Sequence, residues 1–253
     1  MLAIERRQAI LNQIKMEKSV KVSDLAVLHE VTEETIRRDL DKLENQGKVK
    51  KSYGGAILVE PVSEDPSFID RQKVNIKNKQ MIGARASELI GDGETIFIDM
   101  STTALEVIKA VSPDKKITVI TNSLEAIVSL SKMSNIKIIS IGGTLDNNNL
   151  FMGGPMSHKF IKQYYADKTF FSVKGLDKNR GFMDTNEDIA EIKSLMVKNA
   201  REAILVVDQT KFDQSGLVNI INPKNVAKVV TDKAVDDEWM EFFNLYQIEV
   251  SQS

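Results

Sequence analysis

The sequence predicts an α/β protein in two parts: a small helical head closed by a hairpin, then a larger, doubly wound, mostly parallel sheet. Three observations predict it. Residues 32–44 carry Ile36, Leu40 and Leu43 at i, i+4 and i+7, one helix face, with Arg38 on the other. A lysine-rich, β-prone run around Gly54-Gly55 follows that helix directly. From Ile76 onward, short runs of Ile, Val and Phe alternate with longer helical windows, as in a sheet covered by helices on both faces. The expected divisions are a head at 1–58, a linker at 59–74 and a second domain at 75–253.

Composition narrows the function classes. The 253 residues are 42% hydrophobic and 28% charged, which is ample for a small and a medium globular domain. Without cysteine there is no disulfide framework and no thiolate ligand or nucleophile. His29 and His158 lie too far apart in sequence to suggest a zinc site or a histidine-based triad, and neither metal nor cofactor is expected. No apolar run approaches the roughly 20 residues that span a bilayer. Met1 to Lys15 is charged and amphipathic, unlike a signal peptide, so the cytoplasm is the expected compartment. A net charge of −2 argues against coating nucleic acid over the whole surface. Residues 1–57, however, hold 11 of the 34 Lys+Arg and 9 of the 36 Asp+Glu. A weakly positive head on a negative body suits DNA contact at one end.

In the head, Ile4, Ile10, Leu11 and Ile14 mark a first amphipathic helix over 4–17, and residues 18–22 read as a short polar break. Ser23 is placed to cap a second helix, Asp24 to Glu30, and Thr32 to cap the third. On the third helix Thr35, Arg38 and Lys42 point outward, suited to a major groove, with Arg37 at phosphate or paired to Asp41. An ordinary surface helix with Glu34 paired to Arg38 is the other reading of this stretch alone. Gly47 fits the end of the helix. The hairpin that follows sets Lys50 and Lys51 on its first strand and Tyr53 at its tip, a basic wing for backbone phosphates. A lysine-rich edge strand kept soluble by its charge would look the same in isolation. The order of helix, helix, arginine-bearing helix and basic hairpin favours a winged helix-turn-helix. Ser23, Thr35, Arg37, Arg38, Lys42, Lys50, Lys51 and Tyr53 are its candidate DNA contacts.

Residues 23–56 resemble the N-terminal winged helix of the DeoR family of bacterial sugar-responsive transcription regulators. The resemblance is carried by Thr35-Ile36-Arg37-Arg38-Asp39-Leu40, Leu43-Glu44, Gly47 and Gly54-Gly55-Ala56. Tyr53 and Lys51 depart from it, standing where histidine and arginine are commoner.

Residues 60–74 lose periodicity and hold Pro61 and Pro66, as a hinge does; Arg71 matches a recurrent arginine of the family that would anchor it to the body. Strands are expected at 95–98, 118–120, 137–141, 169–173, 203–207 and 226–230, with helices near 76–90, 103–111, 123–132, 188–200 and 237–243. In an open parallel sheet, ligands sit beyond the carboxyl ends of the strands. Those ends read Asp99-Met100-Ser101-Thr102-Thr103, Thr121-Asn122-Ser123, Gly142-Gly143-Thr144, Lys174-Gly175-Leu176-Asp177, Asp208 to Lys211 and Thr231-Asp232. Helix N-termini dressed with hydroxyls suit a phosphate, Lys174 and Lys211 add charge, and Asp99, Asp177 and Asn122 suit sugar hydroxyls. Singly, Ser101, Thr102 and Ser123 read as ordinary caps and Gly142-Gly143 as a turn; jointly they favour a phosphorylated small ligand.

The family resemblance runs on through Asp99–Thr103, Thr121-Asn122-Ser123, Gly142-Gly143, Gly175-Leu176-Asp177, Gly181, Glu191-Ile192-Lys193, Asp208, Lys211-Phe212 and Thr231-Asp232. It implies a sensor domain similar in fold to ribose-5-phosphate isomerase, binding a phosphorylated sugar through Asp99, Ser101, Thr102, Thr103, Thr121, Asn122, Gly142, Gly143, Lys174, Asp177 and Lys211. Ser101 replaces a usual glycine, adding a hydroxyl that would shift ligand preference. The implied protein is a non-enzymatic transcription regulator of a carbohydrate operon, a repressor before an activator. Its implied partners are double-stranded operator DNA, a phosphorylated sugar effector and a second copy, as a dimer or tetramer. Two rivals stand beside it: an isomerase-like enzyme using Lys174, Asp177, Glu187, Glu191 and Lys193, and a winged helix used for protein contact.

Overall fold

The computed structural model describes residues 3–17, 19–45, 49–52, 54–58 and 66–252. The expectations for Gly47, for Tyr53 and for the first part of the linker lie outside these residues, as does the side chain of Lys50. Two compact units divide the chain, residues 1–65 and 66–253.

The first unit runs α1 (Ala3–Glu17), β1 (Ser19–Lys21), α2 (Val22–Leu28), α3 (Glu33–Asn45), β2 (Val49–Ser52) and β3 (Gly55–Leu58). Its antiparallel sheet has the order β1-β3-β2. Ile10, Leu11 and Ile14 of α1, Leu25 of α2, Ile36, Leu40 and Leu43 of α3, and Val20, Val49 and Ala56 of the sheet share one core. The spacing of the α3 aliphatics thus does what helical periodicity requires.

Two local expectations are corrected here. The polar break is the strand β1, with Val20 opposite Ala56 and Lys21 opposite Gly55. Ser23 does not cap α2: the helix starts at Val22, and the Ser23 hydroxyl lies against Asp24 Oδ1 at 3.0 Å. The cause is Val22, whose side chain enters the core and whose N–H is held by the Gly54 carbonyl at 2.9 Å. That junction also explains the glycine pair. Gly54 turns at φ +81°, and a Cβ on Gly55 would stand 2.1 Å from the Val20 carbonyl oxygen.

The second unit begins with α4 (Phe68–Lys73) and α5 (Ile76–Ser87). There follow β4 (Thr95–Ile98), α6 (Thr102–Lys109), β5 (Ile117–Thr121), α7 (Leu124–Leu130) and β6 (Ile136–Ser140). A hairpin, β7 (Thr144–Asp146) and β8 (Phe151–Gly153), leads to α8 (Pro155–Ile161) and β9 (Ala166–Phe171). Then come β10 (Gly175–Asp177), β11 (Gly181–Asp184), α9 (Glu187–Lys198), β12 (Ala200–Val206) and β13 (Val218–Ile221). The unit closes with β14 (Lys228–Thr231), α10 (Asp237–Leu245) and β15 (Glu249–Gln252).

Seven strands form the parallel sheet β15-β14-β12-β9-β4-β5-β6. Along β4, Ile96 and Ile98 enter one core and Phe97 the other, the alternation that puts helices on both faces. Strand order runs outward in opposite directions from β4 and β9, so the switch point of the sheet lies between them. Part of the stretch expected to be linker is structured: α4 belongs to the second unit, with Phe68 buried in its core and Ser67 capping it through Asp70 N at 3.2 Å.

Candidate DNA-binding face and effector site

Thr32 opens α3 as its sequence suggested: its hydroxyl accepts the Thr35 N–H at 3.3 Å and meets the Thr35 hydroxyl at 2.9 Å. With the aliphatic face buried, Arg37, Arg38 and Lys42 are exposed. Asp39 is the exception among the helix charges. It is buried and takes Arg6 Nε at 2.6 Å and Arg7 Nη1 at 3.2 Å, so the two arginines of α1 face inward and tie α1 to α3.

Arg38 holds Glu34 at 3.3 Å, and Arg37 holds Glu33 at 2.7 Å. Exposed i,i+4 pairs of this kind are worth about 0.3–0.5 kcal/mol, too little to keep a guanidinium from a guanine edge or a phosphate. Arg37 is therefore not paired to Asp41. That carboxylate takes Lys51 of β2 instead, and Glu44 accepts the Lys51 backbone N–H at 2.8 Å, fastening the wing to α3. The Asp41 bond is also the leading cause that raises the Lys51 pKa above its ordinary value.

In the second unit the strand ends are polar, but much of that polarity is spent within the protein. Asp99 accepts Ser101 N at 2.9 Å and Ser172 N at 3.1 Å, across the switch point. The Ser101 hydroxyl caps α6 through Ala104 N at 3.1 Å, and Ser123 caps α7 through Ala126 N at 3.2 Å. Ser101 thus spends its added hydroxyl on the helix. Thr102 and Thr103 are buried in the first turn of α6, and Thr121 Oγ1 accepts Ser123 N at 3.1 Å. Asn122 is wholly buried: its Nδ2 donates to the Met152 carbonyl at 3.0 Å, and its Oδ1 has no hydrogen-bond partner among the described residues.

The Gly142 carbonyl accepts the Ser157 hydroxyl at 2.7 Å, and a Cβ on Gly143, at φ +154°, would lie 2.2 Å from the Ser157 Oγ. Beside them a cleft of about 510 Å³ is lined by Gly142, Gly143, Thr144, Gly153, Pro155 and Phe160, among others.

Positive charge gathers where α4, α5 and the end of β12 meet. Lys79 is 5% exposed, and its ammonium donates to the Arg71 carbonyl at 2.6 Å. Burial lowers its pKa to about 8; Asp208 and Glu106 work against that shift, and Lys211 and Arg71 add to it. All four charges thus act on the Lys79 ammonium. Arg71 Nη2 donates to Asn149 Oδ1 at 2.9 Å, and its buried Nε has no hydrogen-bond partner among the described residues. Asp208 caps the turn Gln209–Lys211, and Asp232 fixes it by accepting Gln209 N at 2.8 Å and Asn78 Nδ2 at 2.5 Å. Arg71 and Lys211 were visible in the sequence; Lys79 was missed. The signal for it is register, since Lys79, Ile82, Gly83 and Ala86 all fall on the buried face of α5.

Asp177 and Lys174 sit apart, on the antiparallel sheet β10-β11-β13 and at its foot. Asp177 accepts Asn179 N, Arg180 N and the Ser215 hydroxyl, and the Ser215 bond leads the causes that lower its pKa. The residues of the enzymatic rival are not assembled. Lys193 is buried against Asp184 Oδ2 at 2.6 Å, Asp99 Oδ2 at 3.4 Å and the Ser172 carbonyl at 2.8 Å, while Glu187 and Glu191 are exposed on α9. Burial alone would lower the Lys193 pKa, but Asp184 and Asp99 outweigh it and leave it raised.

An arginine-bearing helix with its wing, carried ahead of a parallel sheet with cations at its rim, defines a DNA-binding regulator with a sensor unit. The relatives make the class specific. Residues 6–62 match the DeoR-like helix-turn-helix domain, and residues 74–233 match the DeoR C terminal sensor domain. The chain is 37% identical over 236 residues to the uncharacterized HTH-type transcriptional regulator YulB of Bacillus subtilis, covering 93% of this chain and 91% of that one. It is 29% identical to the putative aga operon transcriptional repressor of Escherichia coli O157:H7, with coverage of 97% and 92%. To the L-fucose operon activator of Haemophilus influenzae it is 28% identical, with coverage of 96% and 97%. This chain belongs to the DeoR family of transcription regulators. The ribose 5-phosphate isomerase from Methanocaldococcus jannaschii aligns with 55% of each chain at 17% identity and a TM-score of 0.41; the family assignment does not rest on it.

Proposed function

We propose that this regulator represses a carbohydrate-utilisation operon and releases its operator when a phosphorylated sugar binds at the rim of the parallel sheet. The observation that carries the reading is the buried Lys79 ammonium, 5% exposed and held by the neutral Arg71 carbonyl at 2.6 Å, with Asp208, Lys211 and Arg71 among the charges that act on it. Such a group is costly to maintain unless an anion visits it, because burial and like charges both act against the Lys79 ammonium. The phosphoryl group takes these cations, and the sugar extends along the strand ends toward Asn122 and the Gly142-Gly143 turn. The relatives named for the aga and L-fucose operons support a carbohydrate signal.

On the operator, Thr35, Arg38 and Lys42 face base edges while Arg37 and the wing take phosphates. One head reads few bases, so at least a dimer is needed on paired half-sites. Among the described residues no helix is long and apolar enough to cross a membrane, and we place the regulator in the cytoplasm with its DNA. We read it as a sensor and not an enzyme, because its relatives are regulators and Lys193 is spent on an internal ion cluster.

A thermal-shift panel of sugar phosphates beside the same sugars without phosphate tests this. The expected result is stabilisation by one or a few phosphorylated members and by none of the neutral sugars. Equal response to both sets contradicts it.

A further inference from the structure

We propose that α4 is the element through which the effector site acts on the DNA-binding head: an anion at the rim takes the Lys79 ammonium from the Arg71 carbonyl, and α4 loosens from the sensor. The proposal rests on the anion-site reading above and adds to it the path by which occupancy reaches the head.

α4 is the first element on the sensor side of the segment joining the two units, and it has six residues. A helix so short has no stability of its own and depends on its ties. Apart from the buried Phe68 side chain, these ties lead to the rim and to the β7–β8 loop. Phe68 N donates to the Asn148 carbonyl at 2.8 Å, Arg71 Nη2 to Asn149 Oδ1 at 2.9 Å, and Lys79 Nζ to the Arg71 carbonyl at 2.6 Å. The last of these gives a buried ammonium only a neutral acceptor. A phosphoryl oxygen offers the same ammonium a charge-assisted bond, roughly twice as strong. Arg71 moves with it, since its buried Nε lacks a hydrogen-bond partner among the described residues.

The mechanical consequence follows from chain geometry. Six residues span about 9 Å as a helix and up to about 20 Å extended. The tether to each head would then lengthen by about 10 Å. That is a large fraction of the roughly 34 Å between half-sites one helical turn apart.

Inorganic phosphate is the probe, used on the full chain against chloride at matched ionic strength. Calorimetry reads binding, and amide hydrogen exchange reads residues 68–73. Phosphate is expected to bind and to speed exchange across α4 by about tenfold. Asn149→Ala, which unties Arg71 without removing a cation, is expected to exchange quickly at α4 without phosphate and to bind phosphate several-fold more tightly. Binding that leaves α4 exchange unchanged, or an Asn149→Ala affinity equal to or below wild type, overturns the proposal and spares the anion site. No binding at all removes the anion-site reading and the proposal together. Should Asn149→Ala fold poorly, the wild-type exchange result decides alone.

Discussion

Arg38 presents its guanidinium at 75% side-chain exposure, paired to the Glu34 carboxylate. Arg38→Ala is expected to weaken operator binding by about 1–3 kcal/mol, roughly 5- to 150-fold, with no change in unfolding temperature. Footprinting and thermal denaturation of the same sample check both parts. Its sequence neighbour behaves in the opposite way. Asp39 is the carboxylate that two inward arginines require, and Asp39→Ala leaves the half-buried Arg6 and Arg7 without it. The head should lose about 3 kcal/mol or more, read in denaturant melts of the full chain as an earlier first transition.

Lys79 supplies a pH dependence. Its folded pKa, about 8, lies below the 10.5 of an ordinary lysine, so between those values the unfolded chain binds more protons than the native one. Stability should therefore rise with pH across that window. Anion affinity should fall as pH passes about 8 and the ammonium discharges, and Lys79→Met should abolish that decline. Phosphate titrations at several pH values measure both.

At the scale of elements, the wing depends on a backbone approach no side chain tolerates. Gly55→Ala places a carbon 2.1 Å from the Val20 carbonyl, and forcing the strands apart should cost about 1–3 kcal/mol and weaken DNA binding with it. Circular dichroism melts of this variant beside Gly54→Ala, whose Cβ meets nothing within 4 Å among the described residues, separate crowding from turn strain.

Elements whose residues signal locally are legible in the sequence. The Ile36, Leu40 and Leu43 register forecast α3, and the Thr-Ile-Phe-Ile run forecast β4 at the observed bounds. Elements that exist only through distant partners were not. β1 is three residues long and is a strand because β3 lies beside it. α4 read as linker because its holdfasts are Asn148 and Asn149, far along the chain. At the site, the polar strand ends were visible, and so was the capping by Ser101 and Ser123 when each is read alone. Lys79 was hidden: a lysine in a helix reads as surface until the helix's buried face is known.

At the scale of the whole molecule, the protein must convert a small anion at one unit into a change in how tightly the other grips a duplex. It can do so only through different effector affinities of the DNA-bound and DNA-free forms. The measurement that tests this most directly is operator affinity of the full chain, by fluorescence anisotropy on its own promoter, while sugar phosphates are titrated. At least one of them should weaken binding by tenfold or more. Lys79→Met, which loses both the α4 tie and the ammonium that takes the anion, should bind the promoter more weakly without ligand and respond little to it. A promoter affinity that no sugar phosphate alters, or a Lys79→Met variant that responds as wild type does, would contradict the account.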